Sequence, residues 1–190
     1  MNTIIIVTNN LNKLKEYQAK LAPIQCIAYT DVLDIQDIEE TGKTFRENAL
    51  IKAKAIFDRL GQPCIADDSG LIVDALPNEL GVYSKRFSKA ATSQANNTYL
   101  LERLKGVQNR KANFHTTICL LEANKPPRYY EGKVYGHILE SPRGHSGFGY
   151  DPLFQPLKSK KTLAQMTLDE KNQWSHRAKA IEKLVEDICP

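Results

Sequence analysis

Residues 3–21 read "TIIIVTNNLNKLKEYQAKL". The first five form a β-branched run of strand length with no polar alternation, which predicts a strand buried on both faces, as in an α/β sheet. From Leu11 onward Leu11, Leu14, Tyr17 and Leu21 recur at helical spacing, so strand, "TNN" loop and helix follow one another directly. That order sets Thr8, Asn9 and Asn10 at a helix N-terminus, where free N–H groups and the helix dipole favour an anion, and Lys13 adds a positive charge one turn later. The same residues also suit plain N-capping with no ligand.

The remaining chain extends this pattern. Phe45, Ala49, Ala53, Ile56, Phe57 and Leu60 predict the inner face of a second helix over 44–60, closed by Gly61, with Lys52 on a flank of that face. "PCIAD" (63–67) and "GLIVDAL" (70–76) predict two short strands on either side of an aspartate turn. A third helix is predicted over 93–104. "ANFHTTICLLEA" (112–123) and "RYYEGKVYGHIL" (128–139) predict two long antiparallel strands joined through "NKPP". A last amphipathic helix is predicted over 175–188, with Ser175 as its N-cap.

Composition narrows the class of protein. The chain has 190 residues, of which 42% are hydrophobic and 25% charged, enough for one sizeable core in a single domain. The longest apolar run, "IIIV", is far shorter than the roughly 20 residues that span a bilayer, so a soluble, cytoplasmic protein with no membrane partner is expected. Cys26, Cys64, Cys119 and Cys189 show neither C-x-x-C pairing nor zinc spacing and are expected to be reduced. A net charge of +4, spread along the chain, suits an anionic small molecule, a polynucleotide or simply a solvated basic surface. No RNP1-like pattern or concentrated basic stripe points to nucleic acid.

Three further stretches could carry chemistry. "IADDSGL" (65–71) sets Asp67 and Asp68 side by side, and on an extended segment their side chains point to opposite sides. One aspartate there and one glutamate of the 39–40 pair would supply the one or two carboxylates that magnesium takes beside water and phosphate, and the aspartate could also act on a water. An Asx turn and helix capping are the plain alternatives for these two stretches. "GHSGFGYDPLF" (144–154) offers Phe148 and Tyr150 as flat faces on a glycine-rich loop, where a base could stack. "EKNQWSHRAKA" (170–180) gathers Lys171, His176 and Arg177, whose donors suit oxygens on a base or phosphate.

Together, "TNNLNKLKE", "EETGKTFRENALIKAKA", "ADDSGLIVDAL", "GVYSKRF", "GFGYDPLF" and "EKNQWSHRAKA" resemble, in order and spacing, the inosine triphosphate pyrophosphatase family. The resemblance runs from residue 3 to about residue 188. It implies a magnesium-dependent hydrolase that cleaves nonstandard purine nucleoside triphosphates (ITP, dITP, XTP) between the α and β phosphates. It also implies an elongated α/β fold, a mixed central sheet flanked by helices in two lobes around an active-site cleft, and commonly a homodimer. By position, Thr8, Asn9, Asn10, Leu11, Asn12 and Lys13 match the family's phosphate loop, and Lys52 matches a second lysine facing the triphosphate. Asp68 matches the general base and a magnesium ligand, Glu39 the other metal contact with Glu40 as the register alternative, and Ser69 a substrate contact. Phe148, Gly149, Tyr150 and Asp151 match the segment around base and sugar. Lys171, His176 and Arg177 match residues at the base edge, and Arg86 an arginine near the substrate. Asn9 and Asn12 stand where the family commonly has glycine, and asparagine tolerates positive φ better than most residues. Two other readings compete: a house-cleaning pyrophosphatase for other modified nucleotides, and a nucleotide-binding module without catalysis.

Overall fold

The computed structural model describes residues 2–35 and 38–188. The elements in order are β1 (Thr3–Val7), α1 (Leu11–Leu21), β2 (Gln25–Ala28), α2 (Phe45–Leu60), β3 (Cys64–Val73), α3 (Ser93–Arg103), β4 (Lys111–Leu121), β5 (Arg128–Ile138), β6 (Phe154–Pro156), α4 (Leu168–Trp174) and α5 (His176–Ile188). Six strands form one mixed sheet in the order β2-β1-β3-β4-β5-β6. β1 runs parallel to β2 and β3, whereas β6 is antiparallel to β5. Helices flank the sheet. No helix among the described residues is long and apolar enough to cross a membrane.

By its contacts the chain divides into two compact units. Unit 1 takes residues 1–68, 116–132 and 177–190, and unit 2 takes 69–115 and 133–176, so the boundaries fall inside β3, β4, β5 and the first turn of α5. In unit 1, β1 is buried on both faces, as its uniform apolar run predicts. Ile4 and Ile6 pack with Tyr17 and Leu21 of α1 and with Ala180, Ile181 and Leu184 of α5. Ile5 and Val7 point the other way, against Ala49, Ala53 and Ile56 of α2. A period of two along the strand thus supplies two core layers. Unit 2 has its own core, in which Leu71 and Val73 of β3 meet Leu100 of α3, Val134 and Ile138 of β5, and Phe154 of β6.

Helix α2 begins where its sequence demands. Thr44 accepts from the Glu47 N–H while the Glu47 carboxylate reaches back to the Thr44 N–H, a reciprocal capping box, and Gly61 closes the helix at φ 61°.

Several expectations are corrected. The aspartate pair is not in a turn: β3 is one continuous ten-residue strand through Asp67, Asp68, Ser69 and Gly70. Gly70 permits this passage, because a Cβ there would stand 2.1 Å from the Gly81 carbonyl oxygen. Leu11, expected on the inner face of α1, is 71% exposed, and Glu16 is buried beside Tyr17 instead. Ser175, expected as the N-cap of the last helix, ends α4, a short helix absent from the sequence reading, through its N–H to the Lys171 carbonyl at 2.7 Å. Cys26, Cys64 and Cys119 are free thiols, and Cys189 lies outside the described residues.

Candidate active site

The charged constellation of unit 1 is organised by β3. Ile65 faces the layer of α1 and α5, and Cys64 and Ala66 face that of α2. Alternation continues the pattern into the aspartates, so Asp67 turns to α1 and α5, and Asp68 to α2.

Asp67 is surrounded by cations. Its Oδ2 accepts from Lys13 Nζ at 2.9 Å, Arg177 Nη2 at 3.1 Å and Arg177 Nε at 3.3 Å. Arg177 is 1% exposed and also donates through Nη1 to Glu16 Oε2 at 2.7 Å. Burial alone would raise the Asp67 carboxyl, but the charges of Lys13, Arg177 and Lys52 outweigh it and hold the group well below the carboxylate range. Burial in turn draws the Lys13 ammonium below its ordinary value, with Asp67 opposing. For Arg177, Asp67 and Glu16 overcome burial and keep the guanidinium charged.

Asp68 has different company. Its Oδ2 accepts from Asn48 Nδ2 at 2.9 Å, and its Oδ1 lies 4.0 Å from Lys52 Nζ. Lys52 itself is tied to the Glu40 carboxylate and donates to the Asp67 carbonyl oxygen at 2.7 Å. Burial raises the Asp68 carboxyl above its ordinary value; Lys52 opposes, and the negative charge of Glu40 adds to the rise. Two hard oxygen donors of like charge, held on the α2 side of β3, fit a magnesium ion, which takes one or two protein carboxylates and completes its shell with water and phosphate oxygens. No ready-made group of three or more His, Cys, Asp or Glu side chains is present among the described residues.

The two glutamates of the 39–40 pair have different surroundings. Glu39 is exposed, whereas Glu40 is the half-buried glutamate that reaches Lys52 and acts on Asp68.

At the start of α1, Asn10 is the N-cap, its Oδ1 accepting from Asn12 N–H at 2.9 Å and Lys13 N–H at 3.3 Å. Thr8 N–H donates to the Ile6 carbonyl and Asn10 N–H to Thr8 Oγ1, each at 3.1 Å. Asn9 is held through Oδ1 by the Tyr29 hydroxyl. Hydrogen bonds within the loop thus already occupy most of the amides expected to meet phosphate, and Lys13 is the cation of this loop, paired here with Asp67.

Unit 2 carries a second constellation. Asp151 and Lys171 form a buried ion pair at 2.9 Å. The same Asp151 Oδ2 accepts the Phe148 N–H at 2.9 Å, and Lys171 Nζ stands 4.5 Å from the centroid of the Phe148 ring. Gly147 (φ 80°) is required here, since a Cβ would fall 2.1 Å from Asp151 Oδ2. Asn97 of α3 donates to the Gly149 carbonyl at 3.0 Å, and the Tyr150 hydroxyl donates to the Ser84 carbonyl at 2.7 Å. His176 stacks on Phe114 at 4.8 Å between centroids, 11° from parallel. Ser69, half-buried, follows Asp68 on β3, and Arg86 is exposed over the Tyr83 ring.

The Arg177 guanidinium is held by Glu16 and Asp67. Residues 176 and 177 are consecutive and both buried, His176 against the Phe114 ring and Arg177 against the two carboxylates.

Glu16, Asn48, Asn97 and Thr116 were not singled out from sequence. Thr116 Oγ1 lies 3.2 Å from the Asp68 carbonyl oxygen. Asn48 left a signal: it falls three residues after Phe45 on the apolar face of α2, where a polar residue needs a buried partner. Glu16 adjoins Tyr17 on α1, but its partner is 161 residues away, beyond any local pattern.

A family model described as the Ham1 family matches residues 4–187. The chain belongs to the Ham1 family. Among its relatives, the dITP/XTP pyrophosphatase of Lactiplantibacillus plantarum is 46% identical over 187 residues, covering 96% of this chain and 93% of that protein. The dITP/XTP pyrophosphatase of Thermoanaerobacter pseudethanolicus is 46% identical over 95% of this chain and 93% of that protein. The Ham1 protein of Staphylococcus aureus superposes with a TM-score of 0.89 at 36% identity, over 98% of this chain and 97% of that one. A HAM1 protein from Coxiella burnetii gives 0.89 at 39% identity, over 99% and 98%. The resemblance carried by the six sequence blocks is thus borne out, and the Ham1 fold is that of the mixed sheet described above.

Proposed function

We propose that this chain hydrolyses dITP, ITP and XTP between the α and β phosphates, releasing the monophosphate and pyrophosphate and clearing deaminated purines from the cytoplasmic nucleotide pool. Family membership and the activity named for its relatives support the reaction class. The observation that carries the mechanism is the placement of Asp68, a buried carboxylate on β3 whose Oδ2 accepts from Asn48 Nδ2 at 2.9 Å and whose Oδ1 lies 4.0 Å from Lys52 Nζ. A buried carboxylate held in a fixed orientation is suited to orient and deprotonate water.

Asp68 and Glu40 would hold magnesium, which supplies charge neutralisation on the phosphate oxygens. Lys13 and Lys52 exchange their carboxylate partners for phosphate oxygens and fix the triphosphate, so that positioning and electrostatics provide most of the rate. Phe148 offers a stacking face for the purine. Lys171 and His176 supply donors for a 6-keto oxygen, and Asp151 holds Lys171 in place. An adenine brings an amino group to that position and leaves the donors unpaired, a mismatch that can cost ~10² or more in kcat/KM. The family resemblance also supports action as a homodimer, which sedimentation would check.

The test is a substrate panel with magnesium: dITP, XTP, ITP, dATP, dGTP and modified pyrimidine triphosphates, followed by pyrophosphate and orthophosphate release. Pyrophosphate from dITP and XTP, with dATP at least ~10²-fold poorer in kcat/KM, is expected. Nucleotide binding with no release would replace the enzyme by a binding module. A higher kcat/KM for a modified pyrimidine would replace the substrate class.

A further inference from the structure

Asn48 is fully buried on α2 and uses both ends of its amide. Its Oδ1 accepts the Gly42 N–H at 2.7 Å, and its Nδ2 donates to Asp68 Oδ2 at 2.9 Å. A backbone N–H can only donate, so the amide orientation is fixed: its carbonyl faces Gly42 and its NH₂ group faces Asp68. The approach depends on glycine, because a Cβ on Gly42 would lie 2.6 Å from Asn48 Oδ1 and 2.7 Å from Glu47 Cβ. The helix that carries Asn48 is anchored one turn earlier by the Thr44–Glu47 capping box, and Asn48 N–H donates to the Thr44 carbonyl at 3.1 Å. One side chain therefore links a rigid helix start, the segment that bears Glu40, and the Asp68 carboxylate.

We propose that Asn48 is a positioning residue that sets the carboxylate plane of Asp68 and ties the Glu40 segment to it through Gly42. With Oδ2 engaged by Asn48, Oδ1 stands on the side of Lys52, 4.0 Å from its Nζ. Neither Asn48 nor Gly42 touches substrate in this account. The inference rests on the reading of Asp68 as the water-activating carboxylate.

The test is steady-state hydrolysis of dITP with magnesium by Asn48→Ala, Asn48→Asp, Gly42→Ala, Asp68→Asn and the Asn48→Ala/Asp68→Asn double variant. Thermal unfolding of each, without nucleotide, provides a second readout. Asn48→Ala lowers kcat by about 10²-fold, the scale of a misplaced reacting group, with KM changed less than about threefold. Asn48→Asp keeps the shape and the bond from Gly42 but loses the donor, and falls at least as far. Gly42→Ala, which leaves Asn48 in the chain, lowers kcat in the same sense and serves if Asn48→Ala does not fold. Added to Asp68→Asn, Asn48→Ala causes no further loss, because a carboxylate that is gone cannot be misplaced. A kcat within twofold of wild type for Asn48→Ala or Gly42→Ala, or losses that multiply in the double variant, overturns the proposal while Asp68→Asn stays inactive. Near wild-type turnover by Asp68→Asn sinks the catalytic reading itself, and this inference with it.

Discussion

Asp67 and Asp68 are neighbours on one strand and burial pushes both carboxyls up, yet their net shifts are opposite. On the α1/α5 side, Lys13 and Arg177 converge on Asp67 and hold it ionised. On the α2 side, Asp68 meets a neutral amide at 2.9 Å, an ammonium only at 4.0 Å, and the like charge of Glu40. A strand that alternates its faces can therefore place two chemically identical groups in two electrostatic states one residue apart. A carboxylate on which cations converge is held in its charged form. One beside a neutral amide and a like charge is held less firmly ionised, a condition common at functional sites.

The contrast makes graded predictions. The largest stability effect is expected from Arg177→Met, which leaves Asp67 and Glu16 buried against a neutral side chain. Removing one partner of a buried ionic cluster costs about 3–5 kcal/mol, measurable as a shift in urea unfolding. Asp68→Asn, by the same measurement, changes stability by less than about 1 kcal/mol, because a neutral amide relieves the burial and like-charge cost that the carboxylate bears. Equal losses for the two substitutions would erase the distinction between the faces of β3.

A smaller effect is expected in unit 2. Lys171→Met raises KM for dITP about tenfold, equivalent to 1.4 kcal/mol, with a lesser change in kcat, and narrows the preference over dATP. Steady-state kinetics on both nucleotides would check it. A change in kcat alone would place Lys171 with the reacting phosphates instead.

Cys64, three residues before Asp67 on β3, shows what burial does without cations. Its thiol is pushed up to about 12 from 9.0, chiefly by burial, and the Cys119 thiol likewise to about 12. In the folded state these thiols keep their protons well above the pH at which the unfolded chain releases them. Their contribution is therefore full below about pH 9 and declines as pH rises toward 12, by about 1.4 kcal/mol per pH unit for each thiol. Unfolding measured from pH 8 to 11 should show the decline, and Cys64→Ala should make it shallower.

Much of this architecture is legible in the chain because it is local. The unbroken "TIIIV" announces a doubly buried strand, and the capping pair Thr44 and Glu47 with Gly61 brackets α2 to within a residue. What is not legible depends on partners far along the chain. β3 looks like two strands around a turn, since aspartates, serine and glycine favour turns. It is one strand because Lys13, Arg177, Asn48 and Thr116 satisfy the polar groups in its middle. β2, β6 and α4 are too short to carry a periodic signal. The residue types of the candidate site are visible as six blocks, but their pairing is not: Glu40 pairs with Lys52, and Arg177 with Glu16 and Asp67, across separations that no local pattern spans.

The division between the two aspartates stands on one comparison of turnover. Magnesium-dependent pyrophosphate release from dITP should fall by about 10³-fold or more in Asp68→Asn, within the range for loss of a positioned general base, while the variant keeps a wild-type unfolding transition. Turnover by Asp68→Asn near that of the wild type would contradict the account.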